Sequence, residues 1–224
     1  PITLVTGIKG GGGKTATTEG LLFTTSALGL APPVIVDADP DNPDIALAYR
    51  PNVNITDLKR HGFSEVIDIC DANRDKSVLV VTGANERDAI EERIEELDGA
   101  AAFLDRPLRL VWPLNRDKDS FRLLPDVVQK LPSADVFVVR NGFYGECAEF
   151  EAWERSEIRR KLMIPDYRDL YLPKFPDLII RKFMDHRMPF AVIHQEGCLS
   201  ERMALESLRR RLVATFGPML LGNA

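Results

Sequence analysis

A run of four glycines stands between a short apolar segment and a helix-forming segment, and this arrangement constrains the fold more than any other feature of the chain. Residues 2–6 are apolar and β-branched and predict a buried strand. Residues 14–30 are rich in Ala, Leu and Thr and predict a helix, which Gly29 is placed to end. A second buried strand is predicted at residues 33–36. A strand, loop, helix and strand in this order form a βαβ unit, so the two strands are expected to be parallel.

The loop between this strand and helix has the residue types that phosphate binding requires. Glycines let the backbone adopt positive φ and approach phosphate oxygens closely, and they are Gly10, Gly11, Gly12 and Gly13. N–H groups at the start of a helix form a nest for anions, which the helix dipole also favours. Lys14 is expected to neutralise the β- and γ-phosphates and Thr15 to place its hydroxyl on Mg²⁺, with Ala16 in the same nucleotide site. The alternative is a flexible turn that binds nothing. It does not explain why the preceding strand, the loop and the following helix all match the pattern of a nucleotide-binding unit.

The loop departs from the usual P-loop pattern, because Ile8 stands where the first glycine is expected. Residues 9–15, K-G-G-G-G-K-T, resemble instead the deviant-Walker P-loop ATPases of the ParA/MinD group, whose loop reads K-G-G-x-G-K-[ST]. The following helix, Gly29 and the strand V-I-V-D-A-D-P match the next block of that family, so the resemblance is specific over residues 2–45. It implies binding of ATP with Mg²⁺. It also implies a nucleotide-dependent homodimer in which Lys9 reaches the partner subunit's phosphates as a catalytic residue beside Lys14.

Two carboxylates, Asp37 and Asp39, follow the second strand at the edge of the sheet where α/β proteins bind their ligands. Phosphoryl transfer needs a carboxylate near the metal and a group that orients water. The resemblance assigns Asp39 to the attacking water as a catalytic residue and Asp37 to the Mg²⁺ shell. The alternative for either residue is to cap the turn at residues 40–43.

Later parts of the chain match the family less closely. The third family block is a strand that ends in an aspartate near Mg²⁺, but the candidate strand V-L-V-V-T ends in Thr82, which carries no charge. Slow or absent hydrolysis is therefore an open alternative. The strand V-F-V-V-R-N resembles a family strand whose Asn contacts adenine, which implies that role for Asn141, although an Asn before Gly142 can also simply form a turn. Pro173 resembles the proline-bearing loop beside the base.

Alternating strand and helix patterns continue to the end of the chain. They predict an α/β fold of the P-loop NTPase type, with a doubly wound, mostly parallel sheet, helices on both faces and one domain over residues 1–224. Residues 163–188 are the least regular and are interpreted as a surface excursion bordering a site. Residues 189–194 predict a last strand, followed by a helix at residues 200–216.

Composition narrows the classes of partner. The 29 basic and 34 acidic residues give a net charge of −5, which disfavours attraction of the whole protein to DNA or anionic lipid. A local basic face at Arg209, Arg210 and Arg211 leaves DNA contact open. No apolar run is long enough to span a bilayer. The apolar tail at residues 219–221 could touch a membrane but is too short to hold one alone, so a membrane partner is not expected. Three dispersed cysteines predict a cytoplasmic protein without disulfides.

The motifs and the resemblance together predict an ATPase that dimerises around its nucleotide and positions or partitions DNA or a protein complex. A DNA or protein partner would stimulate hydrolysis. Residues 141–153 are also loosely similar to ParA-like proteins of plasmid conjugation and mobilisation clusters. Two alternatives stay open: a nucleotide-gated binding module with little hydrolysis, and a small-molecule P-loop kinase or synthetase. The presence of Lys9 argues against most small-molecule kinases.

Overall fold

Seven short strands form one sheet at the centre of the structure. The computed structural model describes residues 1–7 and 10–222. The strands are β1 (Ile2–Val5), β2 (Val34–Ala38), β3 (Val53–Ile55), β4 (Val78–Thr82), β5 (Leu108–Leu114), β6 (Asp135–Asn141) and β7 (Asp169–Leu172). Their order is β3-β2-β4-β1-β5-β6-β7, and all six neighbouring pairs are parallel. The predicted parallel α/β sheet is confirmed.

The helices lie on both faces of this sheet, which confirms the doubly wound arrangement. They are α1 (Lys14–Ala27), α2 (Asp44–Tyr49), α3 (Leu58–His61), α4 (Ser64–Ala72), α5 (Arg87–Arg93), α6 (Glu95–Phe103), α7 (Leu124–Lys130), α8 (Glu151–Glu154), α9 (Glu157–Leu162), α10 (Asp177–His186), α11 (Phe190–Glu196) and α12 (Leu199–Leu220). Helices α3 to α9 share an apolar core with one face of the sheet. Helices α1, α2, α10, α11 and α12 share a second core with the other face.

Strand β1 holds the central position and sets the place of any ligand. It is buried along its whole length, and it pairs with β4 on one side and β5 on the other. The chain leaves β1 towards β2, β3 and β4 and later continues on the opposite side with β5, β6 and β7. The carboxyl end of β1 therefore lies where the direction of the connections reverses, which is the usual place for a crevice in α/β sheets.

One prediction for the last third of the chain is wrong, and a second is only partly right. Residues 189–194 do not form a strand, because Pro189 caps α11 and residues 190–194 belong to that helix, where Phe190 and Ile193 are buried at helical spacing. A short apolar run fits a strand or a buried helix equally well from its period. The segment at residues 163–188 is more regular than expected, since it contains β7 and the amphipathic helix α10.

Other boundaries differ only in detail. The charged pattern of residues 86–97 predicts a single helix, but the structure has two, α5 and α6. The short strand β3 has no clear signal in the sequence. Within the described residues, no helix is both long enough and apolar enough to cross a bilayer.

A buried carboxyl group joins three helices on the α1 face of the sheet. Glu19 of α1 is 1% exposed, and it accepts hydrogen bonds from the Tyr49 hydroxyl at 2.8 Å and from the Phe190 backbone N–H at 2.6 Å. Burial raises the pKa of Glu19 to about 7, although both hydrogen bonds lower it. A salt bridge of 2.6 Å between Arg187, which directly follows α10, and Asp44 of α2 joins two further helices on this face. Helices α2 and α11 are thus fixed to α1 by polar contacts as well as by apolar packing.

The raised pKa of Glu19 predicts a pH-dependent stability. Because the folded-state pKa lies above the ordinary value of 4.5, this group's contribution is fully present below about pH 4.5 and is lost as the pH rises through 7. Glu19→Gln keeps a hydrogen-bonding amide without the charge. The variant should gain up to about 3 kcal/mol in unfolding free energy relative to wild type between pH 5 and pH 8.

Urea unfolding of both proteins at the two pH values measures this difference, with the exposed Glu92→Gln as a control. A difference between Glu19→Gln and wild type that does not change with pH would contradict the prediction.

Candidate functional site

A cavity of about 430 Å³ opens at the carboxyl edge of the sheet. Its walls come from the glycine loop after β1, from the ends of β2, β4 and β6, and from the chain between β7 and α11. This volume lies in the range of small-molecule sites. Of the described residues that the sequence predicted for the site, all except Gly12 line this cavity.

The glycine loop leads directly into α1. Gly11 and Gly13 have φ values of 79° and 100°, which are left-handed conformations that favour glycine. Gly13 is the N-cap of α1, and its carbonyl accepts the first helical hydrogen bond, from Thr17 at 2.8 Å. The free N–H groups at the start of α1 and the positive end of its dipole therefore lie beside the cavity. Lys9, which the resemblance assigns to a partner's phosphates, lies outside the described residues.

Lys14 is a buried cation at this helix start. Its side chain is 8% exposed, and its ammonium donates to the Gly7 carbonyl at 2.9 Å. Burial lowers the pKa of Lys14, while the nearby Asp39 carboxylate raises it. A desolvated ammonium gains more from an added anion than an exposed one does, because the interaction is less screened by water. Thr15 and Ala16 are partly exposed and line the same cavity.

Asp37 and Asp39 both line the cavity, but they have different surroundings. Asp37 is 2% exposed and accepts backbone hydrogen bonds from Ala46 at 2.8 Å and from Asp39 at 3.2 Å. Burial raises its pKa to about 6, against the lowering effect of those two bonds. Asp39 is partly exposed and accepts a bond from the Asn42 N–H at 3.1 Å. Both carboxylates hold the loop that leads to α2, so the turn-capping role exists alongside their position in the site.

The oxygen groups in the cavity fit Mg²⁺. Thr15, Asp37, Asp39 and Thr82 all line it, and Mg²⁺ prefers oxygen ligands. In phosphate sites this ion takes one or two protein groups and completes its shell with phosphate oxygens and water. The predicted pair of Thr15 and Asp37 matches this requirement in chemical type.

Thr82 stands where the sequence places it, at the carboxyl end of a strand beside β1. It is 1% exposed, and its hydroxyl shares a hydrogen bond of 2.8 Å with the hydroxyl of Thr6. Arg140, at the end of the other candidate strand, is engaged with Asp169 at 3.0 Å and with Glu154 at 2.6 Å. The strand that borders the loop thus offers a hydroxyl group to the site, not a carboxylate.

Asn141 lies against the glycine loop. Its amide nitrogen donates to the Gly12 carbonyl at 3.4 Å, and its amide oxygen accepts from the Phe143 N–H at 3.1 Å. A Cβ atom at Gly13 would lie 2.2 Å from that nitrogen. In this arrangement both ends of the Asn141 amide contact protein, and its role towards adenine stays a prediction. Pro173 lines the cavity as expected.

The sequence did not predict the apolar wall of the cavity. This wall comes from the chain after β7 and consists of Phe175, Ile180, Phe183, Met184 and Phe190, with Glu19 beside it. The prolines around residue 173 gave the only sequence signal, namely a segment that borders a site. The apolar spacing of α10 could have indicated a helix, since Ile179 and Phe183 are buried four residues apart.

The basic residues of α12 are partly neutralised. Arg209 and Arg210 pair with Glu206 of the same helix at 2.8 Å and 3.4 Å. Hydrogen bonds from these arginines, that of Arg209 first, lower the pKa of Glu206 to about 2. This face of α12 is therefore less basic than its sequence suggests.

Comparison with known proteins gives a relative in sequence and solved structures of similar fold. The chain is 32% identical to the protein MobD of Acidithiobacillus ferrooxidans over 162 residues, which cover 70% of each sequence. Its fold is similar to that of the ParA family ATPase from Chlorobium tepidum TLS, with a TM-score of 0.53, 12% identity and coverage of 95% of this chain and 96% of that one. No protein-family model matches the chain.

The contact between Gly13 and Asn141 predicts a specific response to mutation. Gly13→Ala forces a side chain into a left-handed conformation and against the Asn141 amide, so it should lower stability by about 2 kcal/mol, or about 4–8 °C in Tm. Gly10→Ala is the control, because its Cβ would meet nothing closer than Ala84 at 3.7 Å.

Adding Asn141→Ala to Gly13→Ala removes the collision and should restore part of the lost Tm. Calorimetric melting of the single and double variants measures this. An unchanged Tm in Gly13→Ala would show that the loop does not hold this conformation.

Proposed function

We propose that this chain, which belongs to the MobD family, binds ATP with Mg²⁺ in the cavity above β1 and acts as a nucleotide-dependent switch of the ParA/MinD type. The observation that carries the proposal is the buried Lys14 at the start of α1, directly after a glycine loop with left-handed φ at Gly11 and Gly13. This combination supplies a fixed cation, backbone donors and a helix dipole to one anion. The fold, which is similar to that of a ParA family ATPase, agrees with it.

The cavity has two chemically different ends that suit the two ends of a nucleotide. The loop, Lys14 and Thr15 form the polar end for the phosphates. Phe175, Phe183 and Phe190 contribute to an apolar end, where a planar base can be buried beside Pro173. Most nucleotide pockets combine an apolar wall with a few polar groups in this way.

Hydrolysis would depend on the carboxylates after β2. Thr15 and Asp37 are the proposed Mg²⁺ ligands, and Mg²⁺, when bound, offsets negative charge on the phosphates. Asp39 is proposed to orient the attacking water, since it is the more exposed of the two carboxylates and lies near Lys14. Thr82 adds no negative charge to the site, so the reaction is expected to be slow.

A nucleotide-gated binding module is the second candidate function. The hydrogen bond between the Thr82 and Thr6 hydroxyls favours the binding module. Thr82 stands where hydrolytic members of the ParA/MinD group are expected to have an aspartate, and its hydroxyl is already paired with Thr6. In this case ATP binding alone would switch the protein between partner-binding states. The proposed partners are a second copy of this chain and a DNA or protein component of a partition or transfer system. The proposed setting is a single-domain protein in the cytoplasm.

Asp39→Ala tests the catalytic assignment. The variant should bind ATP with Mg²⁺ nearly as wild type does but lose about 100-fold in phosphate release, since water orientation and not phosphate binding is its role. Lys14→Ala is the matched control and should bind no ATP in calorimetric titration. Turnover at the wild-type rate in Asp39→Ala would reduce this residue to a loop-holding role, and a wild type that binds ATP without phosphate release would favour the binding module.

Lys9→Ala tests the proposed dimer. Lys9 lies only five residues before Lys14 in sequence, so we expect like-charge repulsion between the two, which a partner subunit's triphosphate would relieve. Wild type should therefore be monomeric alone or with ADP and dimeric with a non-hydrolysable ATP analogue. Lys9→Ala should bind ATP and stay monomeric. Size exclusion with light scattering measures both, and a wild type that stays monomeric with the analogue at high concentration would exclude the nucleotide-sandwich dimer.

A further inference from the structure

We infer that Tyr144 and Asn141 are positioning residues that hold the glycine loop in its phosphate-binding conformation. The inference rests on the proposed nucleotide-binding function and adds a mechanism to it. The two side chains bind consecutive carbonyl groups of the loop, and the orientation of each carbonyl fixes the N–H group that follows it. This role is separate from any contact with the base.

Two hydrogen bonds carry the inference. The Tyr144 hydroxyl donates to the carbonyl oxygen of Gly11, and the Asn141 amide nitrogen donates to the carbonyl oxygen of Gly12 at 3.4 Å. Tyr144 lies 133 residues away from Gly11 in sequence, so the contact is tertiary and not part of the loop's own turn. Both side chains also line the cavity.

Trans peptide geometry converts these contacts into control of the donors. In a planar trans peptide, the C=O of one residue and the N–H of the next point in opposite directions. A fixed Gly11 carbonyl therefore fixes the direction of the Gly12 N–H, and a fixed Gly12 carbonyl fixes that of the Gly13 N–H. With both carbonyls held by side-chain donors, the two N–H groups point away from those donors, and neither peptide can rotate to direct a carbonyl dipole at an approaching anion.

Four consecutive glycines need this external support. Glycine has the largest backbone freedom of any residue, so a free glycine loop loses the most entropy when it closes on a ligand. Contacts that order the loop before binding reduce that cost and raise affinity. The same glycines that permit close approach to phosphate thus make positioning from outside the loop valuable.

The residues that carry Tyr144 are well anchored. The Gly142 N–H donates to the Leu172 carbonyl at 2.8 Å, and the Tyr144 N–H donates to the Asn141 carbonyl at 3.0 Å. The Tyr171 hydroxyl donates to the Gly145 carbonyl at 3.2 Å. The Phe143 ring packs edge-on against the Tyr144 ring, with the centroids 5.2 Å apart. The Tyr144 ring is thereby fixed to β6 and β7, and the sheet sets the position of its hydroxyl.

Tyr144→Phe tests the inference by removing one hydroxyl and keeping the ring. One neutral hydrogen bond is worth about 1 kcal/mol, so the affinity for ADP and for inorganic pyrophosphate should fall about fivefold for each. The loss should be the same for both probes, because only the phosphate end of the site is affected. Tyr167→Phe is the matched control, since Tyr167 is exposed and its ring lies on Arg168. The control should bind both probes as wild type does.

Two further measurements, the Tm and the NMR resonances of the loop glycines, separate positioning of the loop from a general effect on stability. The Tm of Tyr144→Phe should fall by no more than about 4 °C, the loss expected for one hydrogen bond in a domain of this size, while the glycine amide resonances of the ligand-free loop should broaden or shift. Wild-type affinity for both probes in Tyr144→Phe would overturn the positioning role. A wild type that binds neither ADP nor pyrophosphate would instead overturn the proposed function, so the two failures are distinguishable.

Discussion

The structure depends on one constraint, namely that the chain must pass from the buried end of β1 into α1 through a loop that presents N–H groups to the cavity. Gly11 and Gly13 have left-handed backbone in this loop, and the Asn141 amide leaves no room for a Cβ at Gly13. The turn places Lys14 where burial makes its charge effective. The ends of β2, β4 and β6 are then positioned around the loop by the order of the sheet.

The first βαβ unit could be predicted because its signals are local. Apolar strands, a glycine run and a helix-forming stretch follow one another within the first 40 residues, and Asp37 and Asp39 come directly at the end of β2. Thr82 was found in the same way, since a strand of five apolar or β-branched residues identifies its own carboxyl end. Short-range patterns therefore predicted the polar half of the candidate site.

The apolar half could not be predicted because its signals are long-range. β7 has only four residues, and α11 begins with an apolar run whose period does not separate helix from strand. Whether Phe190 faces a cavity or solvent depends on its position over Glu19, which is 171 residues away in sequence. The contact of Tyr144 with the loop has the same character, since nothing in the sequence around Tyr144 indicates its partner.

The packing of α1 against α12 has a consequence for folding of the chain during its synthesis. The backbone of α1 approaches α12 so closely at Gly20 that a Cβ there would lie 3.1 Å from the Phe216 ring and 3.4 Å from Leu212. Because α1 precedes α12 in the chain, the helix that carries Lys14 leaves the ribosome before the helix that covers it. Until α12 has been made, α1 has one side without its native partner, so its packing is complete only when α12 docks. The support behind the glycine loop therefore depends on a segment that is made much later in translation than the loop itself.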